Sequence, residues 1–355
     1  MRSKAKVTRQ RKQRNGDNVT SAHDKELHIR RDYEILLPRH TLLAASSHTI
    51  CRTLLEAKDI PFHSVKSRVK AYESVIDKID RKKYPDLSAV TDLVGVRVVC
   101  LYKQHIDPVA SLLQTEFDIV ERIDKRPDHD PGRFGYSSLH LLCRLQSNRT
   151  GLVEYSSINS LIFEVQIRTI LQEAWAEIEH RMIYKKTEEA PANIRREIAR
   201  TAAMLESADA SFDEAYNRHK EYLTSLSQKD TRTLEQEPLN VSSLLELIRR
   251  EMPWADEWDR HQDASATTDN LLLDLREQGI VDVLGLAKLL SKWTTTVDAE
   301  NRAKYFSEKR DDKPFLAHGD IEWAHRTKRY FNPIGVIRAM LKHEFPDFVV
   351  KTRSP

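Results

Sequence analysis

"LIFEVQIR", residues 161–168, and "SSLHLLCRL", residues 137–145, both alternate apolar and polar positions with a period of two. Successive side chains of a strand point to opposite faces. Leu161, Phe163, Val165 and Ile167 therefore share one face, and Glu164, Gln166 and Arg168 the other. The second run divides in the same way, with Leu139, Leu141, Cys143 and Leu145 opposed to Ser138, His140 and Arg144. A sheet with one wet side explains that alternation without any function. The residue types ask for more. A wet face ordinarily carries Lys, Glu and Thr, whereas this one combines a carboxylate, an imidazole and guanidiniums close to a Gly135-Tyr136 turn.

Outward from these strands, helical and strand patterns alternate. "PFHSVKSRVK" reads as a strand, "AYESVIDKIDRK" as a helix, "DLVGVRVVCLY" as a strand, "HIDPVASLLQTEF" as a helix and "DIVERID" as a strand. Such alternation predicts an α/β unit with a mixed β-sheet. Residues 24–58 predict an N-terminal helical layer, broken into two helices at Pro38. The pattern is helical again from 169 to about 226. Residues 225–240, "SLSQKDTRTLEQEPLN", are polar and read as a linker. Beyond them, 241–355 predicts a mainly α-helical region whose bulk comes from Trp254, Trp258, Trp293 and Trp323, expected as exposed rings.

Hydrophobic content of 40%, charged content of 31% and nine glycines in 355 residues describe a helix-rich globular chain with room for two compact units. No apolar run approaches the ~18 residues a membrane span needs. The first 16 residues carry seven Lys or Arg but no apolar segment of signal-peptide type, so a cytoplasmic location without membrane contact is expected. A net charge of only +3 argues against a whole-surface nucleic-acid binder, and the basic excess is confined to an arm at 1–20, expected to be disordered. Cys51, Cys100 and Cys143 are too scattered for a zinc site or a disulfide framework, and the latter two are expected to pack as small hydrophobes. The His23-Asp24 pair stands without the further ligands a metal site needs.

A second polar set lies upstream. Lys70, Ser74 and Lys78 follow Arg68 at helical i, i+4, i+8 spacing, and Asp92 opens the strand that carries Arg97. After the last strand, Leu171, Trp175, Ile178 and Met182 form an apolar stripe, with Glu173, Glu177 and His180 on the other side of that helix. Cations facing a few carboxylates suit phosphate chemistry: the cations meet phosphates, and one or two acids hold a Mg²⁺ that keeps part of its water. A surface salt-bridge network has the same appearance in a sequence.

Together, "SRVKAYESVIDKI", "DLVGVRVV", "FGYSSLH", "EVQIRT" and "WAEIEHRMIYKK" resemble, in order and spacing, the RelA/SpoT alarmone synthetase domain, over roughly residues 60–186. Through its flanking helices the chain also resembles the small stand-alone synthetases. The resemblance implies a nucleotidyltransferase-like mixed-sheet domain at 21–226, a linker at 227–240 and an accessory or regulatory helical region at 241–355. It implies transfer of the β,γ-pyrophosphate of ATP to the 3′-hydroxyl of GDP or GTP, giving (p)ppGpp. By position, Arg68, Lys70, Ser74, Lys78 and Arg97 would serve ATP. Asp92 and Glu164 would be the catalytic Mg²⁺ ligands, with Glu164 alternatively taking the hydroxyl proton. Tyr136, His140, Gln166, Arg168 and His180 would line the acceptor side.

Two departures touch the acceptor side. Gly132 stands where the family often has lysine, with Arg133 as the substitute cation, and "DKRPDHD" replaces the common Asp-Tyr-Ile. Two other readings stay open: a toxin-like pyrophosphokinase that modifies the 3′ end of tRNA, and a catalytically silent module that binds a protein through its C-terminal helices. A homo-oligomer is a further expectation.

Overall fold

The computed structural model describes residues 2–124, 138–182, 191–255, 264–308 and 326–350, with the side chains of 2–24, 180–182, 264–267 and 308 left aside. The chain divides into two units, 1–216 and 217–355.

In the first unit, helix α1 (Arg2–Ala57) is followed by β1 (Phe62–Val69), α2 (Tyr72–Lys82), β2 (Val94–Cys100), α3 (Ile106–Leu113), β3 (Phe117–Asp124), β4 (Leu139–Leu145), the single turn α4 (Ser147–Thr150), β5 (Phe163–Thr169), α5 (Ile170–Met182) and α6 (Ala192–Gln228), which runs on into the second unit. The five-stranded sheet has the order β1-β2-β5-β4-β3. β2 and β5 pair in parallel, and every other neighbouring pair is antiparallel. The sheet is mixed, as the alternation predicts.

One face of the sheet is the core. Val94, Val96, Val98 and Cys100 of β2, Leu139, Leu141, Cys143 and Leu145 of β4, and Phe163, Val165 and Ile167 of β5 pack against α1 and α3. Phe117 and Phe163 meet edge to face at 5.1 Å between ring centres, a favoured aromatic geometry. All three cysteines are buried and unpaired, and burial pushes the Cys51 and Cys100 thiols up to about 12, in keeping with packing rather than reactivity. A second small core joins Ile29 and Tyr33 of α1, Val75 and Ile79 of α2, and Leu87, Val90 and Leu93 of the segment that leads into β2.

Three expectations are corrected. Pro38 lies inside α1 and does not end it. Apolar anchors on both sides of it, Tyr33 and Leu43, are buried, and their packing carries the helix past the N–H that proline lacks. The backbone of residues 2–20 falls within the same helix rather than in a disordered arm. On α5, Trp175 is buried against Ala202 of α6 with Leu171 beside it, but Ile178 of the expected apolar stripe is 49% exposed. Met182 lies outside the described side chains.

The second unit contains the end of α6, α7 (Thr231–Leu234), α8 (Val241–Glu251), α9 (Ala264–Glu277), α10 (Val283–Glu308) and α11 (Pro333–Glu344). The stretch 227–240 is not a free linker. Leu234 and Leu239, with Leu226 just before them, are buried in the same core as Leu244, Leu271, Leu286 and Met340. Asp230 caps α7 by accepting from Thr233 N, and Asn240 forms a capping box with Ser243 at the start of α8, so the polar residues of this stretch are helix caps. Trp254 and Trp293 are packed against that core rather than exposed, while Trp258 and Trp323 lie outside the described residues. Among the described residues, no helix is long and apolar enough to cross a membrane.

Candidate active site

The wet face of the sheet is ordered by strand register. Arg68, Gly95, Glu164 and Leu142 form one row across β1, β2, β5 and β4, and Lys66, Arg97, Gln166 and His140 form the next. A cleft of about 260 Å³ opens above them, lined by Lys66, Ser67, Arg68, Asp92, Gly95, Arg97, Glu164 and Gln166. A Cβ at Gly95 would meet nothing within 4 Å. The glycine therefore leaves the floor of the cleft empty between Arg68 and Glu164, and core packing does not require it.

Asp92 sits in the turn before β2 and ties two lysines together. Its Oδ2 accepts from Lys70 Nζ at 2.6 Å and pairs with Lys78 Nζ at 2.8 Å. Lys70 lies at the end of β1, before α2 begins, so the two lysines meet because both reach Asp92 and not because they share a helix face. Tyr33 Oη of α1 donates to the Lys70 carbonyl at 3.0 Å, and Lys70 N donates to Leu93 O at 2.8 Å, which fixes the backbone that carries both charges. Burial opposes the ionised carboxylate of Asp92, but the hydrogen bonds and charges of Lys70 and Lys78 outweigh it and hold its pKa below the usual range. Burial also lowers Lys70, against the pull of Asp92. Asp92 Oδ1 is buried with no partner.

Glu164 closes a ring of hydrogen bonds. Arg168 Nε donates to Ser138 Oγ at 3.2 Å, Ser138 Oγ meets His140 Nε2 at 2.8 Å, and His140 Nδ1 meets Glu164 Oε1 at 2.7 Å. On the other side, Arg168 Nη2 donates to Gln166 Oε1 at 2.7 Å and Gln166 Nε2 donates to Glu164 Oε2 at 2.6 Å. Ser138 Oγ already accepts from Arg168, so its hydroxyl proton is free for His140 Nε2, and the Nδ1–H then faces Glu164. Every donor thus points from Arg168 toward Glu164. Burial works against the Glu164 charge, but His140 and Gln166 overcome it and leave the carboxyl below its ordinary value, with the Asp92 charge working weakly the other way.

Glu173, near the start of α5, joins this ring to the cleft. It accepts from Arg97 Nη1 at 3.0 Å and from Arg168 Nη1 at 3.2 Å.

The structure thus brings together Arg68, Asp92, Arg97, Glu164 and Gln166 in one cleft, Lys70 and Lys78 on Asp92, and His140 and Arg168 around Glu164. Ser74 is exposed on α2 and is not among the residues lining the cleft. Arg133 and Tyr136 lie outside the described residues, as does the side chain of His180 on α5. Three residues have no assigned role in the sequence reading of the site, although Ser138 and Glu173 stand there on polar faces. Lys66 is two positions before Arg68 and so shares its strand face, a period-two signal that was legible. Ser138 carried the same signal two positions before His140. Glu173 is near Arg97 and Arg168 only in three dimensions.

No group of three or more His, Cys, Asp or Glu suited to a metal occurs among the described residues. The pair Asp92 and Glu164 nevertheless fits a hard cation that takes one or two carboxylates and fills its other positions with water and phosphate. An unpartnered buried oxygen such as Asp92 Oδ1 is costly unless something meets it.

A family model described as "Region found in RelA / SpoT proteins" matches residues 67–189. The chain is 33% identical over 156 residues to GTP pyrophosphokinase YwaC of Bacillus subtilis, an alignment that covers 42% of this chain and 71% of that protein. It is 28% identical over 184 residues to GTP pyrophosphokinase YjbM of the same organism, over 50% of this chain and 84% of that one. A solved structure of small alarmone synthetase 1 from Bacillus subtilis bound to its product pppGpp superposes with a TM-score of 0.46 at 26% identity, over 53% of this chain and 98% of that one. The protein is a mixed-sheet α/β protein with a second, helical unit. It belongs to the RelA/SpoT family.

Proposed function

We propose that this chain is a nucleotide pyrophosphokinase that transfers the β,γ-pyrophosphate of ATP to the 3′-hydroxyl of GDP or GTP, yielding (p)ppGpp. The observation that carries this reading is the gathering of Arg68, Arg97, Asp92, Glu164 and Gln166 around one cleft on the polar face of the sheet. Phosphoryl transfer demands positioning and neutralisation of charge more than covalent help, and this cleft offers fixed cations and oriented carboxylates. Both curated relatives carry the name GTP pyrophosphokinase, which favours this reading over tRNA modification or a silent binding module.

In this reading Lys66, Arg68 and Arg97 meet the donor's polyphosphate. Lys70 and Lys78, held by Asp92, set the positive charge at the cleft's edge, and an incoming phosphate competes with Asp92 for them. Asp92 and Glu164 would hold a Mg²⁺, which when bound neutralises phosphate charge and helps align the attacking and leaving oxygens. Glu164 is kept ionised and oriented by His140 and Gln166. A carboxyl below its ordinary pKa is better suited to holding a cation than to taking a proton near neutrality, so its first role here is electrostatic. His140, Gln166 and Arg168 belong to the acceptor's wall, together with Tyr136, Arg133 and His180 as the resemblance implies.

The test is direct. Purified protein is incubated with γ-labelled ATP and Mg²⁺ plus GDP, GTP or bulk tRNA. Label on the guanosine nucleotide is the expected result. Label on tRNA alone, or on nothing, rejects the proposal.

A further inference from the structure

A second cavity lies in the first unit, away from the catalytic cleft. Its volume is about 680 Å³ and its walls come from α1, from residues 86–93 and from residues 160–162. That size falls in the range of small-molecule sites. The floor is apolar, built from Leu36, Leu87, Val90 and Leu161, with carboxylates Asp32 and Asp86 beside it. Among the described residues that line it there is no Lys or Arg, in contrast to the cation-rich catalytic cleft. A phosphate or other anion finds no ammonium or guanidinium in the lining itself, where His28 and His40 are the basic side chains present.

Two details single out this cavity. Asp86 spends one oxygen on Ser88, accepting from its N at 2.8 Å and its Oγ at 2.6 Å, whereas no side chain among the described residues hydrogen-bonds or pairs with Asp32. His40 lines the wall at 4% exposure, and its Nδ1 has no hydrogen-bond partner. Burial, helped by Arg39, lowers the His40 pKa, so this ring does not bring positive charge into the cavity. A buried ring nitrogen with no partner is uncommon in a finished core. The cavity and the catalytic cleft share no lining residue, although Thr91 and Leu93 of the cavity flank Asp92 of the cleft in sequence.

We propose that this cavity is a binding site for an apolar organic cation, a flat or branched hydrocarbon body that carries an amine. The body covers Leu36, Leu87, Val90 and Leu161, and the ammonium sits beside Asp32. The inference does not depend on the pyrophosphokinase reading, because binding is measured without turnover.

The test uses the full chain and two probes that share one ring and differ in charge, tryptamine and indole-3-acetate, followed by isothermal titration calorimetry. Tryptamine should bind at one site with a dissociation constant below about 1 mM, a range open to so small a ligand, and indole-3-acetate should give no comparable heat. A non-hydrolysable ATP analogue should leave tryptamine binding unchanged. Leu36→Trp, which fills the cavity, should abolish binding. Asp32→Asn, at a half-buried polar position that should fold in any case, should weaken it by about fivefold, as the loss of one partly exposed ion pair predicts. Absence of tryptamine binding, equal binding of the two probes, displacement by the ATP analogue, or undiminished affinity in Asp32→Asn would each overturn the proposal. So would undiminished affinity in a Leu36→Trp protein with native circular dichroism.

Discussion

Single residues set the chemistry of the cleft through the bonds that hold them. Glu164 presents a carboxylate whose two oxygens are already oriented by His140 and Gln166, and Asp92 keeps one oxygen for two lysines and the other unpartnered. Glu164→Gln and Asp92→Asn should therefore leave circular dichroism unchanged and lower transfer by ~100-fold or more, since each removes charge that matters most in the transition state. Near-normal turnover in either would remove the residue from the mechanism. Gly95→Val should behave differently. Nothing lies within 4 Å of the new Cβ, and valine suits a strand, so the melting temperature should hold or rise while ATP binding, read by calorimetry, is lost. The pKa directions give a further expectation. Asp92 and Glu164 are both depressed, so their share of stability is fully present above the ordinary carboxylate range of ~4. It is lost only as pH falls through their lower folded values. Carboxyl-carbon NMR titration should find both groups still ionised at a pH where exposed acids have begun to protonate, and midpoints above ~5 for either would contradict the bonding described here.

At the scale of elements, α5 reaches the cleft through Glu173 among its described side chains. Glu173 holds Arg97 of β2 and Arg168 of β5, so Glu173→Ala leaves two partly buried guanidiniums without their counter-charge, a change that commonly costs several kcal/mol. We expect the variant to lose stability in a urea melt and to raise KM for nucleotide more than it lowers kcat. An effect on kcat alone would place Glu173 at the reacting atoms instead. The pattern of legibility follows from the elements. Glu164, Gln166 and Arg168 could be read because a strand alternates faces in sequence, and the same rule covers Lys66 and Ser138 beside their partners. Glu173 could not, because nothing in the order of residues says that the first turn of α5 bends back over β2. The pairing of Lys70 with Lys78 was visible as a spacing, but its cause is Asp92, and Ser74, which shares that spacing, is exposed and does not line the cleft. Pro38 marks a helix end only where packing does not continue past it, and in α1 it does.

At the scale of the whole chain, the boundary moves. A polar stretch at 225–240 looks like a linker by composition, yet Leu226, Leu234 and Leu239 belong to the second unit's core, and three scattered leucines among polar residues leave almost no compositional trace. Residues 217–355 should thus fold alone as a cooperative helical unit, seen as a single urea transition. A fragment that begins at 231 loses Leu226 from its core and should be less stable by ~2–5 kcal/mol, the cost of removing a large buried side chain. Equal stability of the two fragments would return 217–230 to the status of linker. Whether the helical unit restrains transfer is our proposal for its role, and a higher turnover of the 1–216 fragment than of the full chain is the expected sign of it.

The strand order has a consequence for the way the protein comes into being. β5 is the last strand of the sheet to be synthesised, yet it lies in the middle, between β2 and β4. Until residue 169 has been made, β1 with β2 and β3 with β4 are two separate antiparallel pairs with no strand to join them. Closing them requires a parallel partner from far along the chain, a slow, non-local step. The strand that closes the sheet is the one that carries Glu164, Gln166 and Arg168. A nascent or truncated chain therefore has part of a phosphate site but no working centre. In a refolding experiment, activity should return only with the final closure of the sheet, after most of the helical signal has recovered, which would keep a half-made chain from acting on the nucleotides around it.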